Sequence, residues 1–295
     1  MSSAFRITER SLSTSALAGL QATLSQLQDT QAKLSSGKAI SRPSDSPSGT
    51  MNALRLRAGI DRADQLDRNA SDGLARLGMT DTALQDGLST LRSVRNAAVS
   101  GNNAAMSATD REALAEEVDG LRQSLLATAN TSYLNQPIFA GTSSASTAYD
   151  PTGIYQGDSG TMSRTIAPGV SVAVNTTGIE AFGPAGNDVF KTLSDISNDL
   201  RTNPSNLSND IANLDAGSVR MQNALSSVGS RYDQIDTMQS RNQVNQLDAK
   251  NQLSDVEDVD VAATTVDLQM QEVAYQAALA ATARSIQPSL LDFLH

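Results

Sequence analysis

The tetrapeptide Gly157-Asp158-Ser159-Gly160 matches the residues that surround the nucleophile of chymotrypsin-like proteases. That chemistry needs a His base beside the Ser and a buried Asp behind it. The single His is His295, the last residue, and no Gly-Pro follows the motif. A β-turn is the better reading. Asp255, Glu257, Asp258 and Asp260 form a second candidate cluster. Hard cations take several carboxylates, but no central Gly and no closing Glu complete an EF-hand here. The acids read instead as a solvated joint between helices, favoured at the start of the next helix by its dipole. Gly37-Lys38 lacks the Gly five residues earlier that a phosphate loop requires. Asn69, Asn130, Asn175 and Asn206 open Asn-x-Ser/Thr triplets, which matter only in a secretory lumen. For Arg42, Arg55, Arg57 and Arg62, ion pairs with acidic neighbours are expected. No catalytic, metal or cofactor-binding residue is expected.

Composition narrows the class further. Across 295 residues, 22 basic against 32 acidic side chains leave a net charge of −10. That balance disfavours a nucleic-acid partner, which needs a basic face. The absence of Cys removes disulfides, thiol nucleophiles and Cys-based metal sites. The 5 Tyr, 5 Phe and no Trp are too few for a thick round core. Ala, Leu, Val and Ile suit helices packed side by side. The longest weakly polar stretch, Val273 to Ala283, falls far short of the roughly 20 apolar residues of a membrane span. No apolar stretch follows MSSAFRITER, so any export is expected to avoid a cleaved signal peptide.

Periodicity supplies the elements. A 3-then-4 spacing runs Ile60, Ala63, Asp67, Ala70, Leu74, Leu77, Asp81, Leu84, Leu88, Leu91, Arg95, Ala98, predicting one long amphipathic helix. A shorter helix carries Leu114, Val118, Leu121, Leu125 and Thr128, with Thr109 or Asp110 as N-cap. After Pro204 a second long seam runs from Leu207, Ile211, Leu214, Ser218, Met221, Leu225, Val228, Tyr232 and Ile235 to Val256. It turns polar at Gln239, Asn242 and Gln246, which predicts a loosened or partner-facing stretch. Leu17, Leu20, Leu24, Leu27 and Leu34 share a stripe near one end of the chain, and Val266, Met270, Val273, Ala277 and Ala280 near the other. Neither stripe alone offsets the entropy of ordering it. Each should fold only against the other or against another chain. Between Pro137 and Pro184, Gly, Ser, Thr and Pro accumulate around short β-prone pieces such as Thr165–Ile166 and Val170–Val174.

The expected fold is mainly α: an elongated rod of long antiparallel helices with a small inserted β-hairpin module. Its expected parts are an end segment 1–45, rod helices 46–136, the β module 137–186, rod helices 187–256 and an end segment 257–295.

The segment Leu34-Ser35-Ser36-Gly37-Lys38-Ala39-Ile40-Ser41-Arg42-Pro43-Ser44-Asp45-Ser46-Pro47 closes the first stripe. It resembles the signature of the bacterial flagellin superfamily, and its Arg-Pro-Ser-Asp-x-Pro core resembles the hook-associated branch. Physically it is a turn: Gly37 can close the helix in left-handed geometry, and Pro43 and Pro47 stop it from continuing. Further resemblances follow in family order. They are Leu91-Arg92-Ser93-Val94-Arg95, Asn135-Gln136-Pro137-Ile138-Phe139-Ala140-Gly141-Thr142, Tyr155-Gln156-Gly157-Asp158 with Ile166-Ala167-Pro168-Gly169, and the C-terminus from Glu272 through Pro288-Ser289-Leu290-Leu291-Asp292-Phe293-Leu294.

The resemblance implies a structural adaptor at the hook–filament junction, not an enzyme. It implies export through the flagellar type III apparatus to the extracellular flagellum. The implied partners are further copies in a ring, a hook-side junction protein, flagellin and a cytoplasmic chaperone on the C-terminal segment. A short flagellin forming the filament itself is the alternative. Leu17, Leu20, Leu24, Leu27, Leu34, Val266, Met270, Val273, Ala277 and Leu279 are the expected assembly surface. Gly37, Arg42, Pro43, Ser44, Asp45 and Pro47 form the expected family-motif turn.

Overall fold

The computed structural model describes residues 2–286, with side chains at residue 11 and from 14 to 283. Its helices are α1 (Ser2–Ser36), α2 (Pro47–Gly101), α3 (Ala108–Ala129), α4 (Gly178–Phe182), α5 (Val189–Thr202), α6 (Leu207–Glu257) and α7 (Val261–Ile286). Two short antiparallel pairs interrupt them: β1 (Ser132–Tyr133) with β2 (Gln136–Pro137), and β3 (Ser163–Ala167) with β4 (Val170–Ala173). The mainly α class with a small β insertion is thus the observed one. Pro168-Gly169 turns β3 into β4, with Gly169 at φ +75° as the turn requires. Contacts divide the chain into two compact units. One holds residues up to 61 and from 246 on, and the other holds residues 62–245. Both α2 and α6 contribute to each.

The 62–245 unit contains nearly all the buried hydrophobic side chains among the described residues. Its antiparallel α2 and α6 keep one register along their length. Gln243 Nε2 donates to Asp67 (3.3 Å), Gln239 Nε2 to Ser71 (2.9 Å), Arg95 Nε to Asp215 (2.8 Å) and Asn102 Nδ2 to Ser208 (3.3 Å). Each step up α2 matches an equal step down α6.

The inward stripe of α2 is Ala70, Gly73, Leu77, Thr80, Leu84, Gly87, Leu91, Val94 and Ala98. Counting apolar residues places every second seam position one residue later, at Leu74, Asp81, Leu88 and Arg95. Of these only Leu88 is buried, beside the seam. The same slip occurs on α6. There Asp210, Gly217 and Ala224 are buried, where the count selects Ile211, Ser218 and Leu225. The cause is close approach. A Cβ added to Gly87 would lie 3.0 Å from Met221 Sδ, and one on Gly73 would lie 3.0 Å from Val174 Cγ1. Glycines in such contacts carry no hydrophobic signal of their own. Thr80 is admitted because its hydroxyl donates to Arg76 O (2.9 Å).

Three further expectations change. The N-cap of α3 is Ser107, whose Oγ accepts from Asp110 N (3.2 Å), rather than Thr109 or Asp110. Helix α5, absent from the sequence reading as a separate element, is capped by Asp188 and buries Phe190, Leu193, Ile196 and Leu200. It packs on α3. Asn242 is neither loose nor open to a partner. It is buried and its Nδ2 donates to Ile166 O (2.7 Å), tying the β3–β4 hairpin to α6. The few aromatics are concentrated: Phe139, Tyr149, Tyr155, Phe182 and Phe190 form one cluster with ring centroids 4.7–5.6 Å apart. Half of the chain's aromatic rings thereby anchor the inserted β region.

Candidate assembly surface

The protease-like tetrapeptide is an irregular loop segment rather than the expected β-turn. Asp158 Oδ1 accepts from Thr142 N (2.7 Å) and Gly160 N (2.9 Å), and its Oδ2 from Thr142 Oγ1 (2.9 Å). These donors hold its carboxyl below the usual carboxylate range, Thr142 N contributing most. The Asp therefore shapes a loop and orients no base.

The unit of residues up to 61 and from 246 on is built differently. Among its described residues only Ala53 and Glu257 are buried. Helices α1 and α7 pack on one another. The end of α1 meets the start of α7, so the two run antiparallel. The half-buried stripe of α1 is Ala16, Leu20, Thr23, Leu27, Thr30 and Leu34, and that of α7 is Thr264, Leu268, Gln271, Tyr275, Ala278 and Thr282. Leu20, Leu27 and Leu34 therefore lie on the α1–α7 seam, while Leu17 and Leu24 flank it in the open.

Val266, Met270, Val273, Ala277 and Leu279 do not face α1. Val273 is 66% exposed and Met270 59%. Of the two alternatives for this stripe, packing on the other end helix or on another chain, the first falls instead to Leu268, Tyr275 and Ala278. Helix α7 carries apolar or small residues nearly all round, so period counting finds more than one stripe and cannot choose between them. The result is a helix pair in which a second apolar stripe of α7, Val266, Met270 and Val273, is turned to solvent. The C-terminal motif from Pro288 to Leu294 and His295 lie outside the described residues.

The family-motif turn and the acidic joint are folded together. Gly37 has φ +70° and ends α1, and Pro47 opens α2. Asp45 Oδ2 accepts from Arg42 N (2.8 Å), Ser41 N (3.0 Å) and Ser41 Oγ (3.1 Å). Those donors, the Arg42 amide first, lower its pKa. Arg42, Pro43 and Ser44 form the exposed tip of this turn. Val259 N donates to Gly37 O (3.0 Å) and Ala39 N to Glu257 O (2.6 Å). Lys38 Nζ pairs with Asp258 (2.6 Å) and lies 3.7 Å from Glu257, which also pairs with Arg57 Nη2 (2.7 Å). The hydrogen bond to Asp258 raises the Lys38 pKa and lowers that of Asp258. Asp260 Oδ1 accepts from Ala263 N (3.0 Å) and caps α7. Three of the four acids thus do structural work at the joint. Among the described residues no group of His, Cys, Asp and Glu is arranged to hold a metal ion. No described helix is long and apolar enough to cross a membrane. Sequence reasoning found the turn and the acids separately. Their contact across the chain carries no local signal.

The family model of the bacterial flagellin N-terminal helical region matches residues 7–144. Flagellar hook-associated protein 3 of Escherichia coli is 25% identical over 83% of this chain and 86% of its own length. A flagellin of Clostridium tyrobutyricum is 33% identical, but over 35% of this chain and 27% of its own length. The solved flagellar junction protein FlgL of Legionella pneumophila superposes with a TM-score of 0.60 at 15% identity, over 70% of this chain and 99% of its own. These relatives are structural parts of the flagellum, and none is an enzyme. The chain is similar to the bacterial flagellin N-terminal helical region over residues 7–144 and, along most of its length, to hook-associated protein 3.

Proposed function

We propose that the chain joins the hook side of the flagellum to the flagellin filament, assembling as a ring through α1 and α7. The carrying observation is the solvent-facing stripe Val266, Met270 and Val273 on a helix whose other face is already taken by α1. A narrow helix pair with an uncovered apolar face gains stability by packing against copies of itself. Contacts of this head-to-tail kind build rings or tubes. Residues 1–45 and 257–295 would line the inner channel. Export by the flagellar type III route fits a chain without Cys, which has no disulfide to reduce before passage. A chaperone covering Val266 to Leu294 would keep the open stripe from aggregating before export. The likeness to hook-associated protein 3 spans 83% of the chain and that to flagellin 35%, which favours the junction over a filament subunit.

The test uses Val273→Asp and Leu24→Asp in the host strain deleted for the gene. Both variants should be exported with the 62–245 unit intact, yet fail to restore filaments, with flagellin leaking into the medium. Normal filaments in both would remove the terminal pair from the assembly surface. Deletion cells that bear hooks and release no flagellin would identify the chain as the filament subunit instead.

A further inference from the structure

The seam of α1 repeats itself. Leu20, Leu27 and Leu34 recur every seven residues, with Thr23 and Thr30 between them. Sliding α1 along α7 by one such repeat would present almost the same face again. Apolar contact of this kind holds two helices together but leaves their register degenerate, and single polar residues are what specify it. Contacts that occur only once lie at the joint. There Glu257 is 4% exposed and is the one charged side chain buried among the described residues of this unit. Its carboxylate meets Arg57 of α2 and Lys38 of the α1–α2 turn, and its backbone carbonyl accepts from Ala39 N. A buried carboxylate is costly unless it stays paired. Any shifted register carries Lys38 and the Ala39 amide away from it, and separates Val259 N from Gly37 O.

We propose that Glu257, with Lys38, is the positioning residue that fixes where α1 meets α7. This rests on the reading of α1 and α7 as the assembling pair. It adds that the pair is keyed ionically at its base and not by its leucines. A shifted pair would display the Val266–Met270–Val273 stripe at the wrong height for a neighbouring copy.

The natural chain has no Cys, so introduced thiols are the only ones present. Thr30→Cys is combined in turn with Thr264→Cys, Leu268→Cys, Gln271→Cys and Tyr275→Cys in the purified full chain. Disulfide formation is read in trimethylamine N-oxide, which favours burial. One α7 position should dominate in the natural background. In Glu257→Gln, and separately in Lys38→Gln, a position seven residues away should cross-link as well, the preference falling on the order of tenfold. Glu257→Gln keeps side-chain size and Lys38 is half-exposed, so loss of the fold does not imitate the effect. An unchanged single partner in both backgrounds overturns the proposal, as does the lack of any preferred position in the natural one. The assembly reading is judged separately, by Val273→Asp in cells. A failure there with a sharp register here would sink that reading alone.

Discussion

Asp210 stands in the first turn of α6 at 4% exposure, with its carboxyl against that of Asp199. Burial first, then Asp199 and Asp195, push its pKa up to about 6 against the opposing pull of Lys191. A folded-state pKa above the unfolded one favours the native state below the unfolded value, near pH 4. That contribution is lost as pH rises through about 6. Asp210→Asn should therefore leave the melting temperature unchanged near pH 4 and raise it at pH 7.5. The ceiling is roughly 3 kcal/mol, from the linkage constant of 1.36 kcal/mol per unit. Thermal melts at the two pH values check both the sign and the window. Asp45 has the opposite sign. Its pKa is lowered by the Arg42 and Ser41 amides, so its hold on the turn is present above the ordinary Asp value and fades in acid. Amide exchange at Ser41 and Arg42 should accelerate as pH falls below about 4, once the intrinsic pH dependence of exchange is corrected for. A corrected rate that stays flat would remove the carboxylate from that role.

At the scale of elements, the register of α2 against α6 depends on small residues where the helices come closest. Gly87→Leu would drive a side chain into Met221 and should cost about 1–3 kcal/mol of stability in denaturant unfolding. Asp81 occupies the seam position that apolar counting selects, but it is not buried and bonds only to Gln85 within its own helix. Asp81→Ala should stay within about 0.5 kcal/mol of the natural chain. Asn242→Ala removes the donor to Ile166 O and leaves a buried carbonyl unpaired, at about 1–3 kcal/mol. The same hydrogen bond explains why a polar residue stands where the α6 seam would otherwise ask for an apolar one. A heptad count reads it as a weakness because it cannot see the hairpin that the side chain holds.

For the whole molecule, the contrast between the two units governs behaviour. The 62–245 unit buries Leu, Val, Ile and a five-ring aromatic cluster. In the other, the only buried residues among those described are Ala53 and Glu257. A unit with so little apolar burial opens at low free energy. Limited proteolysis of the purified chain should trim residues before about 60 and after about 246 while leaving the 62–245 unit intact. Incorporation into flagella should protect the trimmed segments. Equal resistance of both units in the free chain would contradict this reading of the burial.

The helical class, a β insertion between the long helices, the Gly37–Pro47 turn and the lack of thiols were legible in the residues alone. Each of these follows from local composition, from a period or from residues close together in the chain. Tertiary structure decided the rest. It chose which face of α7 meets α1, because a helix apolar nearly all round offers several faces and only a packed partner selects one. It moved alternate seam positions on α2 and α6 by one residue, because close packing rewards Gly and Ala that no hydrophobicity count registers. It joined Lys38 and Arg57 to Glu257 and Asp258 across some 200 residues of chain. Pairing at that distance depends on the path of the backbone, and nothing local to either segment announces it.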